Sequence, residues 1–208
     1  MRPANEELAN TLTHAAGILL APLMYAALRA GSPCDARHAF SALVFGLGAL
    51  LLYAASTVYH LTPPGRFKRL LRCADHIGIY ILIAASYTPV LLCGVGGPVG
   101  IAVCALLWGL AALGALGKVF FLGRWPRLSL ALYLAMGWSG VAVAVPVWRA
   151  VPAAALWCIL GEGIFYTAGS WFFARDTRRY YHAVWHVFVL LGTLAHFAAL
   201  LILFACGR

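Results

Sequence analysis

His182 and His186 stand four residues apart in HAVWH, a spacing that sets both imidazoles on one helix face, one turn from each other. Ser56 and His60 repeat that spacing in STVYH. Two imidazoles from one helix and a third from another form the donor set of a catalytic three-His zinc site, whose fourth tetrahedral position is left to water. Neutral imidazole suits Zn²⁺ better than Mg²⁺ or Ca²⁺, which prefer oxygen. Asp75 is then expected to hold that water or accept its proton, and Ser56 to hydrogen-bond the same water or a substrate carbonyl. An HxxxH pair alone is a weak signal, because histidines near a membrane surface often only bond headgroups or backbone carbonyls. The metal reading gains its weight from His60, Asp75 and Ser56 falling at the same depth.

The elements that must position these residues follow from composition. The chain has 208 residues, 63% hydrophobic and 10% charged, against the roughly half apolar and quarter charged of a soluble domain. Seven apolar runs near the roughly 20 residues needed to cross a bilayer are bounded by charge, Gly or Pro. They cover about 11–29, 38–60, 73–93, 97–117, 128–148, 151–173 and 182–205. The expected architecture is an all-α membrane protein, a single seven-transmembrane-helix bundle over residues 1–208 with no separate soluble domain. Gly94 to Pro98 is a break without charge, which predicts a tight hairpin between the third and fourth spans.

The formal charge of +9 is spread along an apolar chain and builds no basic face, so nucleic acid is not expected as a partner. Its placement reports orientation instead. With the N-terminus inside, the inner segments carry Arg2, Arg66, Lys68, Arg69, Arg72, Lys118, Arg124, Arg127, Arg175, Arg178 and Arg179, against Arg29, Arg37, Arg149 and Arg208 outside. Cytoplasmic loops are the basic ones, which predicts a cytoplasmic N-terminus and an outer C-terminus. Trp125, Trp148, Trp171 and Trp185 fall where interfacial belts are expected. Six cysteines form no CxxC pair and lie mostly in apolar stretches, so neither a disulfide framework nor a cysteine metal knuckle is expected. Glu6 and Glu7 precede the first apolar run where a signal peptide would be basic, so that run is expected to be retained as a helix.

On this topology His60, Asp75, His76, His182 and His186 all fall at cytoplasmic helix ends. Ionisable residues inside spans are costly and usually mark a site, and here three helix ends distant in sequence converge on one depth. His14, His38 and His196 are expected to be structural. His196 lies ten residues beyond His186, about 15 Å further along a helix, too far to share its metal. His76 adjoins Asp75, points to a different face and is expected to serve packing or hydrogen bonding. Glu162 sits mid-span, where it must be protonated, paired across the bundle or open to an internal cavity; a proton relay would rest on it alone.

ANEELANTLTHAAG (4–17), STVYH (56–60), ADHIGIYILIAASYTPVLL (74–92), LYLAMGW (132–138), IFYTAG (164–169) and YHAVWHVFVLLGTLAHF (181–197) together resemble the bacterial hemolysin III proteins. These are grouped with the progestin and adipoQ receptors, which include the adiponectin receptors. The resemblance spans essentially the whole chain and implies a seven-helix bundle with a cytoplasmic N-terminus. It also implies zinc ligands at His60, His182 and His186, with Asp75 holding the zinc-bound water and Ser56 matching the Ser of the family's SxxxH motif. Alkaline ceramidases, which hydrolyse a lipid amide, share that constellation. Glu162 departs from the family pattern, which usually has a small residue there. Three functions follow as expectations. The first is a zinc-dependent hydrolase of lipid amides or esters, with membrane lipids as partners and a bacterial inner membrane as its place. The second is a pore-forming cytolysin, and the third a receptor for a small lipid with structural zinc.

Overall fold

The computed structural model describes residues 3–206, and all of its regular structure is helical. Arg2 and Arg208, which enter the charge count, lie outside the described residues. The helices are α1 (Ala4–Gly31), α2 (Ala36–Leu61), α3 (Arg66–Pro89), α4 (Gly97–Phe121), α5 (Pro126–Gly137), α6 (Ala144–Ala150), α7 (Ala153–Phe173) and α8 (Tyr181–Cys206). A π-helical turn, Val90–Val95, prolongs α3, and a 3₁₀ turn, Trp138–Val143, joins α5 to α6. Six stretches are long and apolar enough to cross a membrane: α1, α2, α3 with its π turn, α4, α5 through α6, and α8. The 21-residue α7 is not among them; it carries Glu162 between Gly161 and Gly163, and Tyr166, Thr167 and Ser170 beyond.

Most helices outrun their apolar cores. α3 begins at Arg66, not near 73, because Arg66, Lys68, Arg69 and Arg72 still satisfy helical geometry while reaching past the hydrocarbon. The predicted hairpin is present: Gly96 (φ 64°) and Gly97 (φ 58°) take the left-handed conformation that other residues adopt at a cost. The 3₁₀ break is held from outside, since the Tyr87 hydroxyl donates to the Gly137 carbonyl and accepts from the Gly140 N–H. At the opposite loop Asp35 caps α2, accepting from the His38 backbone N–H at 2.9 Å and from its Nδ1 at 2.7 Å. Chiefly that backbone donation holds the Asp35 carboxyl below its ordinary range. The lowered pKa means the cap's contribution is present at neutral pH and is lost as pH falls through it.

α2 packs between α1 and α3, α8 packs on both α1 and α7, and α4 lies outermost against α3. Small residues set the closeness of these crossings. A Cβ on Gly17 of α1 would stand 2.3 Å from the Tyr53 ring of α2, and one on Gly48 would stand 2.5 Å from the Ala85 Cβ of α3. Leu19, Leu23, Leu47, Leu51 and Leu113 face outward, as lipid contact requires. Trp125, Trp148 and Trp171 are exposed as interfacial residues should be, but Trp185 is buried, packed on Phe173 and over Gly169. All six cysteines are free.

Candidate metal centre

α2 ends at the same depth at which α8 begins, and that places His60 against His182 and His186. One nitrogen from each of the three imidazoles lies within 4.8 Å of the other two, and all three residues are buried. Ring centroids are 4.6 Å apart for His182 and His186, and 5.2 and 5.1 Å from His60 to each. Among the described residues this is the one cluster of three or more such side chains with that spacing.

Two of the rings are held by hydrogen bonds at Nδ1, and the third faces a carboxylate. His60 Nδ1 donates to Glu7 Oε2 at 2.6 Å, and the other Glu7 oxygen accepts from Lys68 Nζ at 2.9 Å. His186 Nδ1 lies 3.1 Å from the Asn10 carbonyl and 3.1 Å from Thr13 Oγ1. His182 Nδ1 is 3.5 Å from Asp176 Oδ2. An Nδ1–H given to a carboxylate or carbonyl fixes the tautomer, leaving the Nε2 lone pair for another purpose. His60 Nε2 is buried and has no protein partner. Three such nitrogens suit a borderline-soft transition metal, and not Mg²⁺ or Ca²⁺, so the residues fit a zinc ion.

Asp75, on α3, does not join the three-nitrogen cluster; it is buried on the wall of a cavity of about 300 Å³ that His182 and His186 also line. Ser56 is fully buried and faces the Asp75 carboxyl, its hydroxyl outside hydrogen-bond geometry. The cavity runs between α3, the α5–α6 span, α7 and α8, and no residue of α4 lines it. The five residues singled out by spacing and depth therefore meet in one region, three of them directly.

A family model described as "Haemolysin-III related" matches residues 3–197. The chain belongs to the haemolysin III family. It is 36% identical over 205 residues to the "Hemolysin-3 homolog" of Bacillus subtilis, covering 98% of this chain and 95% of that one. It is 34% identical over 198 residues to "Hemolysin-3" of Bacillus cereus, covering 94% and 90%. It is also 32% identical over 185 residues to the rice "Heptahelical transmembrane protein ADIPOR2", covering 76% and 79%. This haemolysin III protein is a multi-pass integral membrane protein.

Sequence reasoning missed what α1 contributes to the centre of this family member. Glu7, Asn10 and Thr13 each reach a ring of the cluster, and His14 stacks on His186 with centroids 3.6 Å apart and planes 13° from parallel. His14 also meets Tyr53 edge-on, so its structural role is to fix the plane of His186. The signal was available, since Glu7, Asn10 and His14 recur every three or four residues, one polar stripe on a largely apolar helix. Glu162 is paired across the bundle: its Oε2 lies 2.7 Å from His196 Nδ1 on α8.

Proposed function

We propose that this chain is a zinc-dependent hydrolase of lipid amide or ester bonds, with His60, His182 and His186 holding the metal. The observation that carries the reading is three buried imidazoles, two hydrogen-bonded at Nδ1 and the third beside a carboxylate, with His182 and His186 on the wall of a cavity of about 300 Å³ inside an integral membrane bundle. A volume of that order is what small-ligand sites provide. When bound, the metal supplies Lewis-acid polarisation of a carbonyl and acidifies water toward neutral pH.

The chain's own residues do the rest. Asp75 takes the proton of the attacking water at its carboxylate and returns it to the leaving amine or alcohol. Ser56 positions that water or the scissile carbonyl by its hydroxyl. Glu7, Asn10, Thr13 and Asp176 keep the imidazoles neutral at Nε2 and correctly turned, while the apolar cavity walls take the acyl chain and exclude bulk water. Substrate enters sideways from the inner leaflet, and the cellular consequence is adjustment of membrane lipid composition.

The same proposal includes α7 as a seventh span, an inner N-terminus, an outer C-terminus and a bacterial inner membrane. Pairing Glu162 with His196 covers the charge that keeps α7 from reading as apolar, and its 21 residues reach about 32 Å against a core of about 30 Å. The name of the rice relative, "Heptahelical", agrees with that count. A lytic pore needs a polar stripe along several spans, whereas the acidic and imidazole side chains buried in this bundle gather at the His cluster and at the Glu162–His196 pair. For a sensor, the short outer loops leave room only for a small lipid ligand.

Zinc-loaded protein in lipid nanodiscs should release fatty acid from at least one class of lipid amide or ester, and His186→Ala should release none. No release from any such lipid, with His186→Ala indistinguishable from wild type, overturns the hydrolase.

A further inference from the structure

The cavity has a second polar end. Its walls include Glu162 of α7 and His196 of α8 as well as His182 and His186. His196 lies ten residues past His186 on α8, so the two ends are separated by about 15 Å along that helix. The His196 side chain is 3% exposed and that of Glu162 is 13% exposed. With Nδ1 engaged by Glu162, His196 keeps a buried Nε2 that has no partner. A buried polar atom left unpaired costs about 1–3 kcal/mol, and the neighbouring hydroxyls of Thr193, Tyr166 and Thr167 already have partners. Thr193 Oγ1 donates to the Val189 carbonyl and accepts from Tyr53, and Thr167 Oγ1 donates to the Gly163 carbonyl. The pair is therefore more than a tie between α7 and α8, since the tie uses only one of the two ring nitrogens.

We propose that the Glu162–His196 pair is a subsite for a hydroxyl group carried part-way along an acyl chain, so that the cavity selects a hydroxylated lipid. The inference rests on the reading of the cavity as the acyl-chain site of a lipid held at the three-His end. A hydroxyl both donates and accepts, so it satisfies Nε2 in either protonation state of the ring. A plain hydrocarbon chain satisfies neither. A carboxylate is repelled by Glu162, and an ammonium at mid-membrane carries the desolvation cost of a charge. The separation of the two ends sets the hydroxyl well down the chain and not beside the scissile bond.

The test compares stearate with a stearate bearing a mid-chain hydroxyl, each displacing a fluorescent fatty acid from the full-length protein in detergent. Wild type should bind the hydroxylated acid about threefold to tenfold more tightly, the value of one added hydrogen bond. Glu162→Leu with His196→Phe, changed together so that neither partner is stranded in an apolar interior, should bind the two acids alike and keep the affinity for stearate. If that pair of changes fails to fold, Glu162→Gln takes its place. It removes the carboxylate that makes Nε2 a strong acceptor and should lower the preference.

Equal binding by wild type overturns the subsite, as does a full preference surviving in the folded double variant or in Glu162→Gln. Zinc content of the same preparations separates this from the hydrolase reading. A metal-free wild type that still prefers the hydroxylated acid keeps the subsite and loses the enzyme. A zinc-loaded wild type without preference loses only the subsite.

Discussion

Glu7 does at His60 what no residue of the HAVWH motif can do for itself: it accepts the Nδ1–H and anchors to Lys68 on α3. Removing it frees the His60 ring to turn. Glu7→Ala should weaken zinc binding about 10- to 100-fold, measured by competition with a chromogenic chelator, while leaving the protein folded. An unchanged affinity would show that the carboxylate does not orient the ring. Asp75 sits at a different kind of position, on the cavity wall and outside the nitrogen cluster. Asp75→Asn is therefore expected to keep its zinc and to lose hydrolysis at least 100-fold, read as metal per chain beside fatty acid released. Loss of metal in that variant would instead make Asp75 part of the binding set. The three imidazoles were legible in the sequence because i, i+4 spacing is a local rule, and Asp75 and Ser56 because all five fell at one depth. Which ring each of Glu7, Asn10 and Asp176 serves was not, because their partners lie on other elements and only packing brings them together.

Among the elements, α1 carries the largest difference between sequence and structure. Its buried face runs Glu6, Asn10, Thr11, His14, Gly17, Ala21, Met24 and Leu28, half of it polar, and it ends in the ordinary small and apolar residues of helix packing. Gly17 is the point where that face meets α2: the Tyr53 ring occupies the space of a Cβ, and its hydroxyl donates to Thr193 of α8 at 2.7 Å. Gly17→Ala should cost about 1–3 kcal/mol by overpacking, seen as a lower midpoint of thermal unfolding in detergent. Because the displaced ring supports His14 and through it His186, zinc affinity should fall as well. A variant with wild-type stability would mean that α1 and α2 separate freely at this crossing. Hydropathy located the helices but not their full lengths, because polar and basic turns beyond the hydrocarbon read as loop. The π turn after α3 and the 3₁₀ turn after α5 had no local signature; the latter depends on Tyr87, some fifty residues away.

At the scale of the whole molecule, the arrangement predicts which thiols face which side. Cys34 lies exposed between α1 and α2, and Cys206 lies exposed at the end of α8. With the N-terminus inside, both should react with a membrane-impermeant maleimide added outside spheroplasts, and Cys34→Ser with Cys206→Ser should abolish that labelling. Labelling only after the cells are opened would invert the topology and move the three-His end to the outer face. The sequence conveyed the placement of the apolar helices well, since apolar length is a sum over many residues and tolerates local error. It conveyed α7 less well, because one glutamate changes the hydropathy of a 21-residue helix and its partner His196 is visible only in three dimensions.

Elemental analysis of detergent-purified protein, prepared without chelator, bears most directly on the central claim. Wild type should contain about one zinc per chain, and His60→Ala, His182→Ala and His186→Ala should each lose it while remaining folded. A well-folded wild type without zinc, or three alanine variants that retain it, would contradict the assignment of these histidines as a metal centre.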